Sequence, residues 1–255
     1  MSLEIWKCRA LIWNFAIYDL KIRYRNSILG FLWTILEPLL MLGVLYVIFT
    51  SIFPSKIEHF GLYLLLGIIL WNNFSRGTES SLNSITSRSS IVKQIYFPRE
   101  VLPISSSISS LIMLMLELVV LAAFMIVLEF IPPITIIWLP LILILEFFLI
   151  LGLSFPLSIL NIRYKDIQFI WKIVVQVGFF ATPIIYKLEM LPTELQSILK
   201  FSPMVQVVDI SHDLALFNKL PSEESIIIGI SSTLIILFLG YLIFRKLQRG
   251  IVEEL

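Results

Sequence analysis

Three carboxylates stand inside long apolar runs of this chain: Glu37, Glu117 and Glu146. An ionised carboxylate at membrane depth is costly and normally faces a polar partner or a water-filled path. Acid–base chemistry would need a histidine or second carboxylate within reach of a substrate near the membrane face, and the sequence offers no convincing pair. His59 and His212 are far apart. Asp209, His212 and Asp213 could share a helical face as metal ligands, but they read first as a solvated or headgroup-facing cluster. The chain has no G-x-x-x-x-G-K-[ST] phosphate loop, no G-x-S-x-G elbow and no H-E-x-x-H pair, which removes those routes to nucleotide, acyl-enzyme and zinc chemistry. No catalytic or metal residue is therefore assigned. Glu37 directly precedes Pro38, which lacks a backbone donor and tends to kink a helix, so this pair predicts a functional bend. Glu117 and Glu146 sit mid-helix and read as protonated carboxyls bonded to a neighbouring helix.

These residues are carried by elements that belong in a bilayer. Apolar residues make up 58% of the chain and charged residues 15%, outside the soluble range. A spanning helix needs about 20 mostly apolar residues. Candidates fall at 33–53, 60–83, 102–128, 134–160, 168–186 and 225–244. The second is the weakest, because its apolar run from Phe60 to Trp71 must continue through Asn72, Asn73 and Ser75. With the N-terminus inside, all Lys and Arg residues except Lys56, Lys187, Lys200 and Lys219 fall on the inner side. That bias predicts both termini in the cytoplasm. No signal peptide is visible, and the single cysteine, Cys8, allows no intrachain disulfide. The expectation is one all-α membrane domain over 1–255 with six transmembrane helices.

Ahead of the first span lies an amphipathic segment over residues 1–30. Trp6, Ala10, Trp13, Ile17, Leu20 and Tyr24 recur on one helical face, beside a polar, mostly cationic stripe of Lys7, Asn14, Tyr18, Lys21 and Arg25. Such a helix settles flat at the headgroup level. The sequence predicts that it runs unbroken through Arg23, Tyr24 and Arg25 to Trp33, a strut fused to the first span.

Two loops on the inner side suit docking to a partner. Pro98 and Pro103 bracket Arg99-Glu100, and each disfavours helix in the residue before it. A short ordered element carrying both charge signs suits reversible electrostatic docking, whereas plain charge anchoring would account for Arg88, Lys93 and Arg99 but not Glu100. The loop Arg163-Tyr164-Lys165-Asp166 is shorter and mostly basic. Aromatics at Tyr46, Phe49 and Phe53, and at Phe179 and Phe180 before Thr182-Pro183, could lie against sugar rings or simply pack. Ser105, Ser106, Ser109 and Ser110 permit close helix packing.

Four motifs in order resemble the permeases of type-2 ABC exporters. They are Arg23-Tyr24-Arg25-Asn26-Ser27-Ile28-Leu29-Gly30-Phe31-Leu32-Trp33 with Glu37-Pro38, Lys93 to Pro103 (KQIYFPREVLP), Asn161-Ile162-Arg163-Tyr164-Lys165-Asp166, and Ala181-Thr182-Pro183-Ile184-Ile185-Tyr186. The closest branch moves O-antigen, capsular and teichoic-acid polysaccharides. Two positions depart from the pattern: Ser202-Pro203 replaces Asn-Pro, and His212 stands where an Arg is expected.

The resemblance implies a transport subunit in a bacterial plasma membrane, paired with a second copy of itself and with two separate ATP-binding subunits that hold ATP and Mg. This chain would carry no cofactor, and its other partners would be membrane lipids and a polysaccharide, not nucleic acid. ATPase coupling would fall to Arg88, Lys93, Phe97, Pro98, Arg99, Glu100, Arg163, Tyr164, Lys165 and Asp166. The interface helix and entry to the first span would use Trp6, Trp13, Arg23, Tyr24, Arg25 and Trp33. The translocation path would include Glu37, Tyr46, Phe49, Phe53, Phe179, Phe180, Thr182 and Pro183, with short re-entrant gate helices over 187–224. The rival readings are export of teichoic acid, a drug or a lipid by the same family, a polytopic membrane transferase, and an ion-coupled carrier.

Overall fold

The computed structural model describes residues 3–25, 27–52 and 57–248. Every regular element among them is helical. Two short helices open the chain, α1 (Leu3–Lys7) and α2 (Arg9–Arg23), followed by α3 (Leu32–Val47) with a π-helical end at Ile48–Ile52. Next come α4 (Phe60–Leu82), α5 (Ser89–Gln94), α6 (Val101–Val127), α7 (Leu139–Arg163) and α8 (Ile167–Ala181). The chain closes with α9 (Thr193–Leu199), α10 (Pro203–Leu216) and α11 (Glu223–Leu247).

Four stretches are long and apolar enough to cross a membrane: Leu32–Ser51, Val101–Val127, Ile134–Arg163 and Glu223–Leu247. The fifteen residues of α8 are apolar but shorter. With 23 residues α4 is long enough, yet it carries Asn72, Asn73, Arg76 and Glu79 in its second half. The protein is thus an all-helical, multi-pass membrane protein.

The helix α4 is the hub. Leu62, Leu64, Leu65, Leu66, Ile68, Ile69 and Leu70 are all fully buried, which is why its apolar run shows no amphipathic period. It packs against α3, α6, α7 and α10. The closest pairing is α7 with α11, and proline chemistry explains its closeness. Pro156 inside α7 has no N–H, so the carbonyl of Gly152, four residues earlier, loses its helical donor. A Cβ added to Gly240 of α11 would lie 2.0 Å from that oxygen. A Cα–H of Gly240 therefore occupies that direction, a weak C–H···O contact that any side chain would block.

The N-terminal segment differs from the unbroken strut that the sequence predicts. A turn at Cys8 separates α1 from α2, and helix ends at Arg23 and resumes at Leu32. Between them Gly30 adopts φ +51°, a left-handed conformation that glycine tolerates without a Cβ clash. A separate set of residues packs on the bundle. Ile5, Ile12, Ala16 and Leu20 are buried, while Trp6 (68% exposed) and Trp13 (55%) face outward. Packing against α6 selects the branched and small residues, and it leaves the indoles free for an interfacial environment.

Candidate functional site

Polar side chains buried in the bundle gather around Arg76 on α4. Its guanidinium Nη2 donates to Glu117 Oε2 on α6 at 2.6 Å, with Arg76 92% and Glu117 fully buried. Glu37 on α3 lies 3.8 Å from Nη1, and 58% of its side chain is exposed. One turn earlier on α4, Asn73 Nδ2 donates to the fully buried Glu146 on α7 at 2.9 Å. Four helices are thus tied through their costliest groups, as charge burial requires. Sequence reading counted Arg76 among the inner-side charges without a partner; the structure puts it inside the bundle, bonded to Glu117. The legible signal was Asn72-Asn73 followed by Arg76 in an otherwise apolar helix.

In front of Arg76 opens a cavity of about 740 Å³, lined by Trp33, Glu37, Leu40, Met41, Val44, Asn72 and Phe179. It joins residues of α3, α4 and α8, and three of the predicted positions, Trp33, Glu37 and Phe179, meet there. The face of α3 around it and the face of α8 are strongly apolar and exposed. Leu40, Val44, Phe169, Ile173, Val177 and Phe180 are each more than half exposed. Tyr46 and Phe49 do not reach this cavity; both lie against Phe60 of α4. Thr182 and Pro183 are buried and end α8: Thr182 Oγ1 donates to Gly178 O at 2.9 Å, and Pro183 O accepts from Tyr63 at 3.0 Å. In the chain alone they hold the turn that ends α8. Phe53 lies outside the described residues.

At the basic end, α2 is bolted to the segment before α6. Arg88 donates to Asp19, Ser106 donates to the other Asp19 oxygen at 3.3 Å, and Arg88 also lies over the Phe15 ring at 5.2 Å. Phe15 in turn meets Phe97, with ring centroids 6.2 Å apart. Burial pushes the Asp19 carboxyl above its usual range, against the opposing pull of Arg88. Arg99 Nη1 donates to Gln248 O at 2.5 Å, which secures the end of α11. Among the residues expected to couple to an ATPase, Arg88 and Glu100 are buried, Arg88 beneath α2 through its bond to Asp19. Lys93 and Tyr96 remain exposed, with Phe97, Pro98 and Arg99 half-buried. Arg163, Tyr164, Lys165 and Asp166 are all exposed, as are Arg23 and Arg25. Tyr24 is half-buried and meets Thr34 Oγ1 at 2.6 Å, linking the turn to α3.

The opposite, far end is closed by the segment from Lys187 to Pro221. Tyr63 stacks on His212 with centroids 3.6 Å apart, and His212 Nε2 lies 2.9 Å from Tyr63 O. Tyr63 Oη donates to Tyr186 O at 2.8 Å. Sequence reading singled out His212 as a departure from pattern but missed Tyr63, whose position on an apolar helix gave no sign of a partner 149 residues away. No group of three or more His, Cys, Asp or Glu side chains capable of holding a metal ion occurs among the described residues.

A family model described as "ABC-2 type transporter" matches residues 10–214. The chain belongs to this family. Its relatives include an O-antigen export system permease protein, RfbA, of Klebsiella pneumoniae, 29% identical over 93% of this chain and 92% of the relative. A protein of the same name from Myxococcus xanthus is 26% identical over 99% of this chain and 98% of its own length. The polysialic acid transport protein KpsM of Escherichia coli is 25% identical over 92% and 93%. As an ABC-2 protein, the chain is a transport component. Its buried Arg76 network, its bolted basic end and its closed far end are the three sites on which a transport reading can be built.

Proposed function

We propose that this chain is the membrane subunit of an ATP-driven exporter of an O-antigen-type surface polysaccharide carried on a lipid. It acts as a homodimer with two separate ATPase subunits in a bacterial plasma membrane, with both termini cytoplasmic. The six spans are α3, α4, α6, α7, α8 and α11, and 187–224 forms the external gate. The observation that carries this reading is the end-to-end match to permeases named for O-antigen export. The exposed apolar faces of α3 and α8 support a second copy as their partner, since two such faces would border a shared path. Exposed Lys93, Tyr96, Tyr164 and Lys165 support docking of the ATPases at the basic end.

The ion pair of Glu117 with Arg76 supports a structural tie rather than a proton-handling role for that carboxylate, which favours an ATP-driven exporter over a transferase or an ion-coupled carrier that would use it. The test is purification of the tagged chain from its host together with deletion of its gene. An ATPase that copurifies, and loss of surface polysaccharide in the deletion, are expected. Transport activity from the chain alone, without any ATPase, would overturn the proposal.

A further inference from the structure

The far end of the bundle encloses a polar cavity of about 200 Å³ that the central network does not use. Three ammonium groups, Lys187, Lys200 and Lys219, and three carboxylates, Glu189, Asp209 and Asp213, line it. None of the six forms an ion pair with another, and none of the three carboxylates accepts a side-chain hydrogen bond. They converge on the space rather than on each other. Burial is the main cause that pushes the Asp209 carboxyl up to about 6, with Asp213 and Glu189 adding to it.

His212 supplies the second observation. It lines the cavity, is only 1% exposed, and its Nδ1 has no partner. The carbonyl of Tyr63 can only accept, so Nε2 must carry the proton that points to it. That fixes Nδ1 as a bare acceptor, and burial, which holds the imidazole down to about 3, keeps it neutral. The cavity thus offers acceptors (three carboxylates and a ring nitrogen), donors (three ammoniums) and an aromatic wall in Phe217, over which Lys187 Nζ sits at 3.9 Å.

We propose that this cavity is a saccharide subsite at the exit of the exporter, holding one sugar ring of the polymer in transit. Balanced charge, three positive against three negative, gives no preference for an ion of either sign. A neutral ring bearing several hydroxyls satisfies donors and acceptors together. This inference rests on the polysaccharide reading above.

The experiment uses the full permease–ATPase complex in nanodiscs. Saturation-transfer NMR is recorded with methyl glycosides of the sugars found in the host's surface polymer. Millimolar binding to the wild type is expected, weakened at least fivefold by Asp209→Asn and by Lys219→Gln, with copurification of the ATPase confirming that both variants fold. A second arm introduces Ser225→Cys, at the cavity wall, into a Cys8→Ser background. Its maleimide labelling in cells should slow while polymer is exported and recover when polymer synthesis is blocked. An exporting wild-type complex that shows no transfer to any glycoside, unchanged binding in both variants, or labelling indifferent to export would overturn the subsite and leave the exporter reading intact. A complex that exports no polysaccharide would overturn both.

Discussion

Removing either partner of the Arg76–Glu117 pair should damage the fold far more than removing both. The two groups meet at 2.6 Å with almost no solvent access, and a buried charge deprived of its partner costs about 3–5 kcal/mol. Glu37 offers little relief, since it stands 3.8 Å away and is 58% exposed, and such pairs contribute about 0–1 kcal/mol. Glu117→Met therefore leaves a guanidinium that cannot shed its charge, and Arg76→Met leaves a carboxylate in the bundle. For a chain of this size each kcal/mol moves the midpoint by roughly 2–4 °C, so each single variant should melt about 6–20 °C below wild type. The double variant Arg76→Met/Glu117→Met replaces the pair with apolar chains of similar length and should recover to within ~2 kcal/mol. Intrinsic fluorescence of the tryptophans in detergent reads the midpoint, taken at several scan rates because such unfolding is often irreversible. Losses in the double variant that equal the sum of the singles would show that the pair is not coupled, and the assignment of Arg76 as the tie between α4 and α6 would fall.

The contact between Gly152 and Gly240 predicts that Gly240→Ala destabilises by ~1–3 kcal/mol through forced separation of the helices. Gly229→Ala on the same helix, where an added Cβ meets its neighbours at an ordinary 3.5 Å, should be neutral or gain up to about 1 kcal/mol from helix propensity; equal effects in a melting assay would refute the backbone contact. Asp209→Asn should raise the midpoint at pH 7.5 and match wild type near pH 4. The fold holds the Asp209 proton more tightly than the unfolded chain does, so wild-type stability falls as pH rises from about 4 through about 6. Two pKa units bound the gain at about 3 kcal/mol, and partial solvent access brings it nearer ~1–2 kcal/mol. A difference that does not vary with pH would contradict it. Tyr96→Ala removes a fully exposed ring and should leave the midpoint unchanged while reducing the amount of ATPase that copurifies; unaltered copurification would exclude Tyr96 from the docking surface.

Length and hydropathy made the long helices legible because a bilayer asks only for an apolar run and internal backbone bonds. The pairing of the buried groups was not legible. Glu117 and Glu146 announced themselves by their apolar surroundings, but nothing local says that Glu117 meets Arg76, 41 residues away, or that Glu146 meets Asn73. Which face of the N-terminal helices packs was not legible for a related reason. Periodicity marked a headgroup-level face with Trp6 and Trp13, whereas the residues buried in the protein are Ile5 of α1 and Ile12, Ala16 and Leu20 of α2. Two faces of one short helix can both look apolar, and only the shape of the partner chooses between them. The burial of Arg88 was not legible because its partner on α2, Asp19, lies 69 residues away in sequence.

These placements bear on where the molecule can yield. At the basic end α2, the segment through Arg88 and the start of α6 share buried contacts and the Asp19–Arg88–Ser106 bonds, so a push on any one displaces all three. Downstream, α6 is tied to α4 through Glu117 and Arg76, and Asn73 ties α4 to α7. By contrast, α3 meets this block through apolar contacts of Leu42 and Leu45 and the longer Glu37 contact, and α8 through Val175, Phe179 and one hydrogen bond from Trp171 to Thr78. Bonds that are short, buried and charged resist displacement, whereas apolar contacts carry no such directional tie. If force enters at the basic end, as the proposed docking requires, α2, α4, α6 and α7 would move together, and the expected place of yielding is their boundary with α3 and α8, where Glu37 and Phe179 line the cavity.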